Sequence, residues 1–371
     1  MNRRNFLGVA AGTLIVAGGV SYLLSDKNNF VRNNIKISPS DKSLLKSDER
    51  GMLYLASLAP SGHNTQPWFV KYIEPYHWII CNDKNKWLPA VDPTQRETIL
   101  SIGAFIQNLE YAASNAGYDC QFDMLGSTNQ DESIMDVKLI QTGKGPAFNT
   151  TCIKNRRTVR SNYLNDLMKR EDAVYLFSEE SDFFNFIPNS AKEYRYLNEQ
   201  TIEANRIQSY RDAAEKELSE WIRFSSKDAE KFNDGLTAAS MEIEGIPGWV
   251  VRNLYHKKSV MKNNFREKNI ENVIKQVSQS AGWLLITSKD NSVATLIETG
   301  KRMQRLFLKV REKGIAIHPM TQILEESSTN QGLNQSIGIN ANIQFILRLG
   351  YLKNYPEPVS LRRPVDWFVR T

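Results

Sequence analysis

The segment PSGHNTQPW, at residues 60–68, joins a polar turn to the start of an apolar strand. Serine and asparagine side chains bond to nearby backbone in tight turns, and Gly62 tolerates a positive φ. The run that begins at Trp68 is typical of a strand, so the turn should present polar atoms at a fixed place in the fold. The alternative is an ordinary loop that ends in a buried tryptophan. The polar side chains available for ligand contacts include Ser61, Asn64 and Gln66.

A second group of residues has the chemistry of a phosphate site. The sequence RRTVR, at residues 156–160, supplies arginines and a threonine within five positions. A phosphate monoester carries close to two negative charges, guanidinium groups bind its oxygens as planar forks, and a threonine hydroxyl adds a neutral donor. A basic cluster of this kind can also be a solvated surface. The candidate phosphate ligands are Arg156, Arg157, Thr158 and Arg160.

Hydrophobic periodicity predicts the elements that position these residues. Apolar side chains recur at three- and four-residue steps from Leu296 to Val310, which predicts a helix over residues 294–311, stopped by Gly314. A similar stripe from Ile99 to Ala113 predicts a second helix. Residues 171–230 are charged and predicted to be mostly helical, and residues 245–270 are predicted to be irregular. Strands are predicted at 69–73, 76–81, 137–140 and 315–318.

These segments resemble the nitroreductase family. In that family a Pro-Ser-x-x-Asn-x-Gln-Pro-Trp segment lies against FMN at a subunit interface, and each specified position is filled here. RRTVR resembles the phosphate grip of the family, and LRRPV, at residues 361–365, resembles its C-terminal end, where a basic residue completes the phosphate site. The alternative for LRRPV is a charged tail, and the alternative for Gln66 is a bond within the turn. The FMN contacts that the resemblance implies are Ser61, Asn64, Gln66, Arg156, Arg157, Thr158, Arg160, Arg362 and Arg363.

The resemblance is closest to the Acg-like branch of the family, whose members are long single chains. PSGHNTQPW occurs only before residue 150 and RRTVR only after it. The resemblance therefore implies an α+β, nitroreductase-like fold in which two degenerate halves form an intramolecular pseudo-dimer, with central, mainly antiparallel sheets flanked by helices. The expected halves are residues 29–150 and 151–371, with a lid at 245–270 and one FMN per chain. A further oligomer is not required.

The first residues resemble an export signal. Arg3 and Arg4 precede Asn5, Phe6 and Leu7, as in the twin-arginine pattern, and an apolar stretch follows to residue 24. That pathway exports folded proteins, which suits a protein that acquires FMN in the cytoplasm. The apolar run reaches about the minimum length that spans a bilayer, ~17 residues. Residues 1–28 are thus predicted to be a leader or membrane anchor, which places the protein in the periplasm or on the membrane facing outward. The alternative is a buried N-terminal helix.

Composition excludes several other classes of protein. Hydrophobic residues make up 41% and charged residues 24% of the 371 residues, which is typical of a globular protein. The net charge is +6, but the basic residues are scattered among acidic ones, so nucleic-acid binding is not predicted. Three cysteines and four histidines show no zinc-binding spacing, and we predict no metal. No Gly-x-Gly-x-x-Gly follows a strand, so a Rossmann site is not predicted.

The resemblance implies an FMN-dependent oxidoreductase. Hydride would pass from a reduced donor such as NAD(P)H, by way of the flavin, to an electron-poor acceptor such as a nitroaromatic or a quinone. Outside the cytoplasm the donor would be a redox partner or a membrane quinol, because nicotinamide is scarce there. One alternative is a non-enzymatic protein that binds or sequesters flavin in a closed site. Another is a membrane-tethered scaffold without flavin. His63 is predicted to be a loop residue rather than a catalytic acid.

Overall fold

The computed structural model of the protein describes residues 31–32, 44–143 and 148–371. The predicted leader at residues 1–28 lies outside the described residues. Within those ranges, no helix is both long and apolar enough to cross a bilayer.

Helices and strands mix along the whole described chain, as the sequence predicts. The α-helices are α1 (Ser47–Ser57), α2 (Arg96–Asn115), α3 (Thr151–Asn155), α4 (Arg170–Phe177), α5 (Lys192–Tyr210), α6 (Asp212–Trp221), α7 (Ser226–Phe232), α8 (Gly245–Leu254), α9 (Lys257–Val260), α10 (Asn263–Val277), α11 (Val293–Glu312), α12 (Gln322–Glu325), α13 (Ser327–Asn330) and α14 (Leu333–Ile337). The strands are β1 (Trp68–Glu74), β2 (His77–Asn82), β3 (Tyr118–Met124), β4 (Ser133–Gln141), β5 (Phe184–Pro188), β6 (Ile222–Arg223), β7 (Leu236–Thr237), β8 (Gly282–Ser288), β9 (Ile315–Pro319), β10 (Asn342–Tyr351) and β11 (Val369–Arg370).

Two sheets of the same topology form the centre of the fold. The first has the strand order β11-β1-β2-β4-β3, and the second has the order β5-β8-β10-β9. Except for the parallel pair of β1 and β11, all neighbours in both sheets are antiparallel. Taken in chain order, β1 to β4 correspond to β5, β8, β9 and β10, and the two sheets then have an identical strand order. The prediction of two degenerate halves with antiparallel sheets and flanking helices is therefore confirmed.

The long helices of the two halves meet at a pair of glycines. A Cβ atom on Gly103 of α2 would lie 2.2 Å from the carbonyl oxygen of Ile297, and one on Gly300 of α11 would lie 2.0 Å from that of Leu100. The contacts are also reciprocal one helical turn further along. There Gln304 of α11 donates to Asn108 of α2 (2.7 Å), and Arg305 of α11 donates to Gln107 of α2 (2.9 Å). Residues 297, 300, 304 and 305 are spaced as 100, 103, 107 and 108 are. Such reciprocal contacts are those of a two-fold interface, here within one chain.

The halves differ at one connection. In the first half, Pro75 and Tyr76 join β1 to β2 directly, whereas residues 189–281 separate β5 from β8 and hold α5 to α10. The prediction that residues 245–270 are irregular is wrong, because they form α8, α9 and part of α10. Pro247 lies in the first turn of α8, where backbone N–H groups need no partner within the helix, so proline does not break it.

The main hydrophobic core lies between the two sheets and their long helices. It includes Trp68 and Trp78 from the first sheet and Phe307 from α11, all fully buried. The last strand, β11, pairs with β1, so the C-terminal segment crosses from the second half to the first sheet. This crossing brings the LRRPV segment beside the turn that precedes β1. All three cysteines, Cys81, Cys120 and Cys152, are free thiols.

Candidate functional site

The turn before β1 is held in an uncommon backbone conformation. His63, Asn64 and Gln66 have φ values of 45°, 54° and 54°. Gly62, which tolerates a positive φ most easily, does not adopt one, and the left-handed positions fall on its neighbours. Hydrogen bonds keep this conformation: the Gln66 N–H donates to Ser61 Oγ (2.9 Å), and the Thr65 N–H donates to the Gly62 carbonyl (2.9 Å). Clustered left-handed non-glycine residues store backbone strain, which is typical of functional sites.

The Asn64 side chain ties the turn to two distant segments. Its Nδ2 donates to the carbonyls of Gly235 and Leu361, both at 3.1 Å, and its Oδ1 accepts from Arg362 at 2.8 Å. Its amide is therefore saturated with bonds to Asp-Gly-Leu, at residues 234–236, and to LRRPV. The structure thus brings the turn together with LRRPV, which the sequence analysis singled out, and with a third segment at residues 234–236.

Gln66 makes a parallel set of bonds and is fully buried. Its Nε2 donates to the Asn233 carbonyl (3.0 Å), and its Oε1 accepts from the Arg363 N–H (2.9 Å). A bond within the turn was the alternative for this side chain, but its partners lie in other segments. Ser61 instead makes the internal bond.

Arg362 and Arg363 both point at peptide carbonyls of the first half. Arg362 donates to the carbonyls of Leu58 (3.1 Å) and Ala59 (3.0 Å), and Arg363 donates to that of Trp68 (2.7 Å). Both guanidinium groups are buried. Burial lowers the pKa of Arg363 to about 10 and that of Arg362 well below its ordinary value.

Arg156 reaches the same place from the second half. Its Nη2 donates to the Leu58 carbonyl at 3.1 Å, the oxygen that also accepts from Arg362. Among the described residues, its buried Nε and Nη1 atoms have no acceptor, and it forms no ion pair. Burial lowers its pKa to about 10, and the positive charge of Arg32 contributes. A buried cation with unused donors and cationic neighbours is an arrangement that an anion would stabilise.

The rest of RRTVR surrounds one carboxylate. Glu242 accepts from Arg157 (3.3 Å) and from the backbone N–H of Arg160 (2.9 Å), while Arg160 Nη1 donates to the Ser240 carbonyl (2.7 Å). Thr158 lies half-buried between these arginines. Sequence reasoning missed Glu242, and no local pattern marks it, because its partners lie more than 80 residues away along the chain.

His63 connects the turn to RRTVR electrostatically. In the described part of the chain its buried Nδ1 has no hydrogen-bond partner. Burial and the nearby charge of Arg160 lower the pKa of His63 to about 4, so the imidazole is neutral at neutral pH. A neutral ring can donate or accept one hydrogen bond at Nδ1, depending on its tautomer.

Two carboxylates that the sequence analysis did not single out lie beside the turn. Glu97 Oε2 would be 3.7 Å from a Cβ atom on Gly62, and the Thr321 hydroxyl lies 3.3 Å from Glu97 and 3.4 Å from Glu325. Burial, followed by the charge of Glu97, raises the pKa of Glu325 to about 8. One of these neighbouring carboxyls is therefore protonated near neutral pH.

Metal chemistry gains no support from the side chains. Across residues 31–32, 44–143 and 148–371, no group of three histidine, cysteine or acidic residues is placed to hold a metal ion.

Comparison with known proteins gives matches along most of the chain. No protein-family model matches it. It is 26% identical over 330 residues to a Mycobacterium tuberculosis protein provisionally named NAD(P)H nitroreductase acg, which covers 85% of this chain and 93% of that protein. It is 20% identical over 323 residues to a Serratia protein provisionally named NAD(P)H nitroreductase PigM, and the match covers 83% of this chain and 89% of that protein. The solved FMN-dependent nitroreductase NfnB from Mycobacterium smegmatis, in complex with NADPH, aligns with 59% of this chain and 96% of its own, at 15% identity and a TM-score of 0.37. The chain is therefore similar in sequence to proteins named NAD(P)H nitroreductases.

Proposed function

We propose that the protein is an FMN-dependent oxidoreductase of the nitroreductase type. It would take electrons from NAD(P)H or another reduced donor and pass them to a small electron-poor acceptor, such as a nitroaromatic or a quinone. One observation carries the proposal: Arg156 and Arg362 converge on the Leu58 carbonyl from positions 98 and 304 residues away along the chain. The sequence likeness to proteins named NAD(P)H nitroreductases supports it.

The donors at this site fit a phosphate group. Arg156 has two buried guanidinium nitrogens without acceptors within the described ranges, and Arg157 has one. A phosphate would supply acceptors and negative charge to a place that holds several buried cations. In this proposal Arg156, Arg157, Thr158 and Arg160 hold the FMN phosphate.

In this proposal Arg362, Arg363, Asn64 and Gln66 hold the turn in position and do not bind the phosphate. Arg362 and Arg363 donate to backbone carbonyls, and Asn64 and Gln66 bond to the segments around them. These bonds fix the strained turn in place, so that the turn and Ser61 border the cofactor. FMN, when bound, would supply the hydride chemistry, and the neutral His63 adds no further positive charge beside Arg160.

Flavin content tests the proposal directly. The full chain should be yellow when purified, and Arg156→Gln should lose most of its FMN because charge-assisted bonds to the phosphate are removed. Arg311→Gln is the matched control, because Arg311 also donates to a backbone carbonyl, that of Asn155, and lies next to the site. FMN retention in Arg156→Gln equal to that of the control would contradict the assignment, and a colourless wild-type protein that cannot be reconstituted would contradict the function.

A specific observation favours the closed, flavin-holding alternative. Asn64, Gln66 and Arg156 are exposed by no more than 8%, so the site is closed to solvent at this turn. Both functions require bound FMN but differ in turnover. Anaerobic bleaching of the yellow protein by NADPH or NADH would establish a reductase, whereas bleaching by dithionite alone would favour either the closed flavoprotein or a reductase with a different donor.

We also propose that residues 1–28 direct export by the twin-arginine pathway. The arginine pair and the apolar stretch of the sequence support this proposal. Two outcomes are then distinct: a cleaved leader gives a periplasmic protein, and a retained leader gives an outward-facing membrane anchor.

A further inference from the structure

A cleft separate from the arginine cluster opens between the inserted helices and the first half. It has a volume of about 520 Å³, within the range of small-molecule sites. Residues of α6, β6, α7, α8 and α9 line it, and Lys86 of the first half closes one side. The cleft exists only because residues 189–281 are inserted where the first half has a two-residue turn.

The floor of the cleft carries an excess positive charge. Asp234, whose side chain is 1% exposed, accepts from both Lys86 Nζ (2.6 Å) and Arg223 Nε (3.0 Å). Two cations share this single buried carboxylate, and the lining as a whole has a formal net charge of +1, from Lys86, Arg223, Arg252 and Lys257 against Glu220, Asp228 and Asp234 with His256 neutral. Charge in such a partly desolvated place attracts anions more strongly than charge on an open surface.

Aromatic rings stand beside this charge. The ring of Trp221 lies 5.3 Å from Lys86 Nζ, and the ring of Phe232 lies 4.5 Å from the Arg223 guanidinium carbon. Phe232 is 40% exposed and Trp221 is half-buried, so part of each ring surface is open to a ligand. Tyr255 adds a third ring to the lining. Flat faces of this kind bind planar rings by stacking.

Lys257, at the rim of the cleft, is a cation that can exchange its ion-pair partner for a ligand. Lys257 pairs with Glu220, and both side chains are more than half exposed. Exposed ion pairs contribute little stability, so Lys257 can turn toward a ligand at small cost.

We infer that this cleft binds a planar aromatic anion. The ring would lie against Trp221 and Phe232, and the negative group would lie between Lys86 and Lys257. Two sources share this chemistry: a nucleotide, whose base is planar and whose phosphates are anionic, and an aromatic carboxylate. The inference does not require FMN, so its failure would leave the proposed function intact.

Calorimetric titration of the full chain tests the inference with four probes. ADP and 4-nitrobenzoate carry both a ring and an anionic group, adenosine has the ring alone, and pyrophosphate has the charge alone. We expect ADP or 4-nitrobenzoate to bind saturably and the single-feature probes to bind about tenfold more weakly, because each lacks one set of contacts. Binding of ADP only would identify a nucleotide site. Binding of 4-nitrobenzoate only would identify a carboxylate site in this cleft if the lining substitutions weaken it, since a nitroaromatic is also an acceptor in the proposed function. Binding of neither would overturn the inference.

Substitutions then locate the binding. Lys86→Met leaves Arg223 to neutralise Asp234, so the fold should survive, and the dissociation constant should rise about tenfold. Trp221→Leu should weaken binding by a similar factor. Lys257→Met at the exposed rim serves as a third variant if either of these unfolds, as judged by thermal melting. Lys258→Met is the matched control, because Lys258 neighbours Lys257 but does not line the cleft. Binding that survives all three lining substitutions would also overturn the inference.

Discussion

The close contact between α2 and α11 predicts that a larger residue at Gly300 lowers the free energy of unfolding. A Cβ atom on Gly300 would lie 2.0 Å from the Leu100 carbonyl oxygen, whereas non-bonded atoms settle near ~3.5 Å. Gly300→Ala must therefore push two backbones apart by roughly 1.5 Å, and neither can yield as a flexible side chain would. Overpacking a core costs about 3 kcal/mol at its upper end, and alanine returns ~1 kcal/mol of helix propensity. The net destabilisation should be about 2 kcal/mol, or a Tm lower by roughly 3 °C for a chain of this length.

Thermal unfolding followed by circular dichroism measures this effect. Gly51→Ala is the matched control, because Gly51 lies inside α1 and its Cβ would meet nothing within 4 Å. That variant should gain about 0.5–1 kcal/mol and melt at a slightly higher temperature. Gly103→Ala should behave as Gly300→Ala does, since the contacts are reciprocal. If Gly300→Ala melts at or above the temperature of the wild type, the two halves do not meet as described, and the account of the interface is refuted.

Three further predictions concern the site, the buried carboxylates and the leader. Arg156→Gln should lose at least tenfold in FMN affinity and Arg311→Gln should not, as measured by flavin fluorescence on dilution. Because the pKa of Glu325 is raised to about 8, above ~4.3 for the unfolded chain, the folded state holds an extra proton, and stability should fall as the pH rises from about 4 to about 8. Glu325→Gln should flatten this slope in urea unfolding series, and an unchanged slope would contradict the buried pair. Replacing Arg3 and Arg4 by lysine should retain the protein in the cytoplasm, as cell fractionation would show, and unimpaired export would exclude the twin-arginine route.

Sequence reasoning correctly predicted the elements whose hydrophobic pattern or helix-stop residue is a strong signal. The predicted helix over residues 294–311 is α11, Val293–Glu312, because its apolar stripe is long and regular. Gly314 ends that segment with a φ of 66°, as expected of a glycine just past a helix. The apolar run that begins at Trp68 is the strand β1, and Trp68 is completely buried.

The features that sequence reasoning missed depend on contacts between segments that are distant along the chain. β5 was missed because it is a short edge strand inside a charged, helical region, and only its pairing with β8 defines it. Gly62 is the residue of the turn that adopts a positive φ most easily, yet the side-chain bonds of Asn64 and Gln66 hold the left-handed backbone at those residues instead. Glu242 and the cleft depend on contacts between distant segments, which no local pattern encodes.

The proposed function places one flavin site in a chain with two similar sheets, and differences between the halves account for that number. Equal strand order alone would give two equivalent sites across the α2–α11 contact. The halves, however, carry different segments ahead of their first strands: the strained turn precedes β1, and RRTVR precedes β5. The insertion between β5 and β8 adds a second difference between the halves, because the carbonyls of its Asn233 and Gly235 accept hydrogen bonds from the turn in the first half. Each half therefore supplies what the other lacks, and Arg156 of RRTVR meets the segment just before the turn at the Leu58 carbonyl.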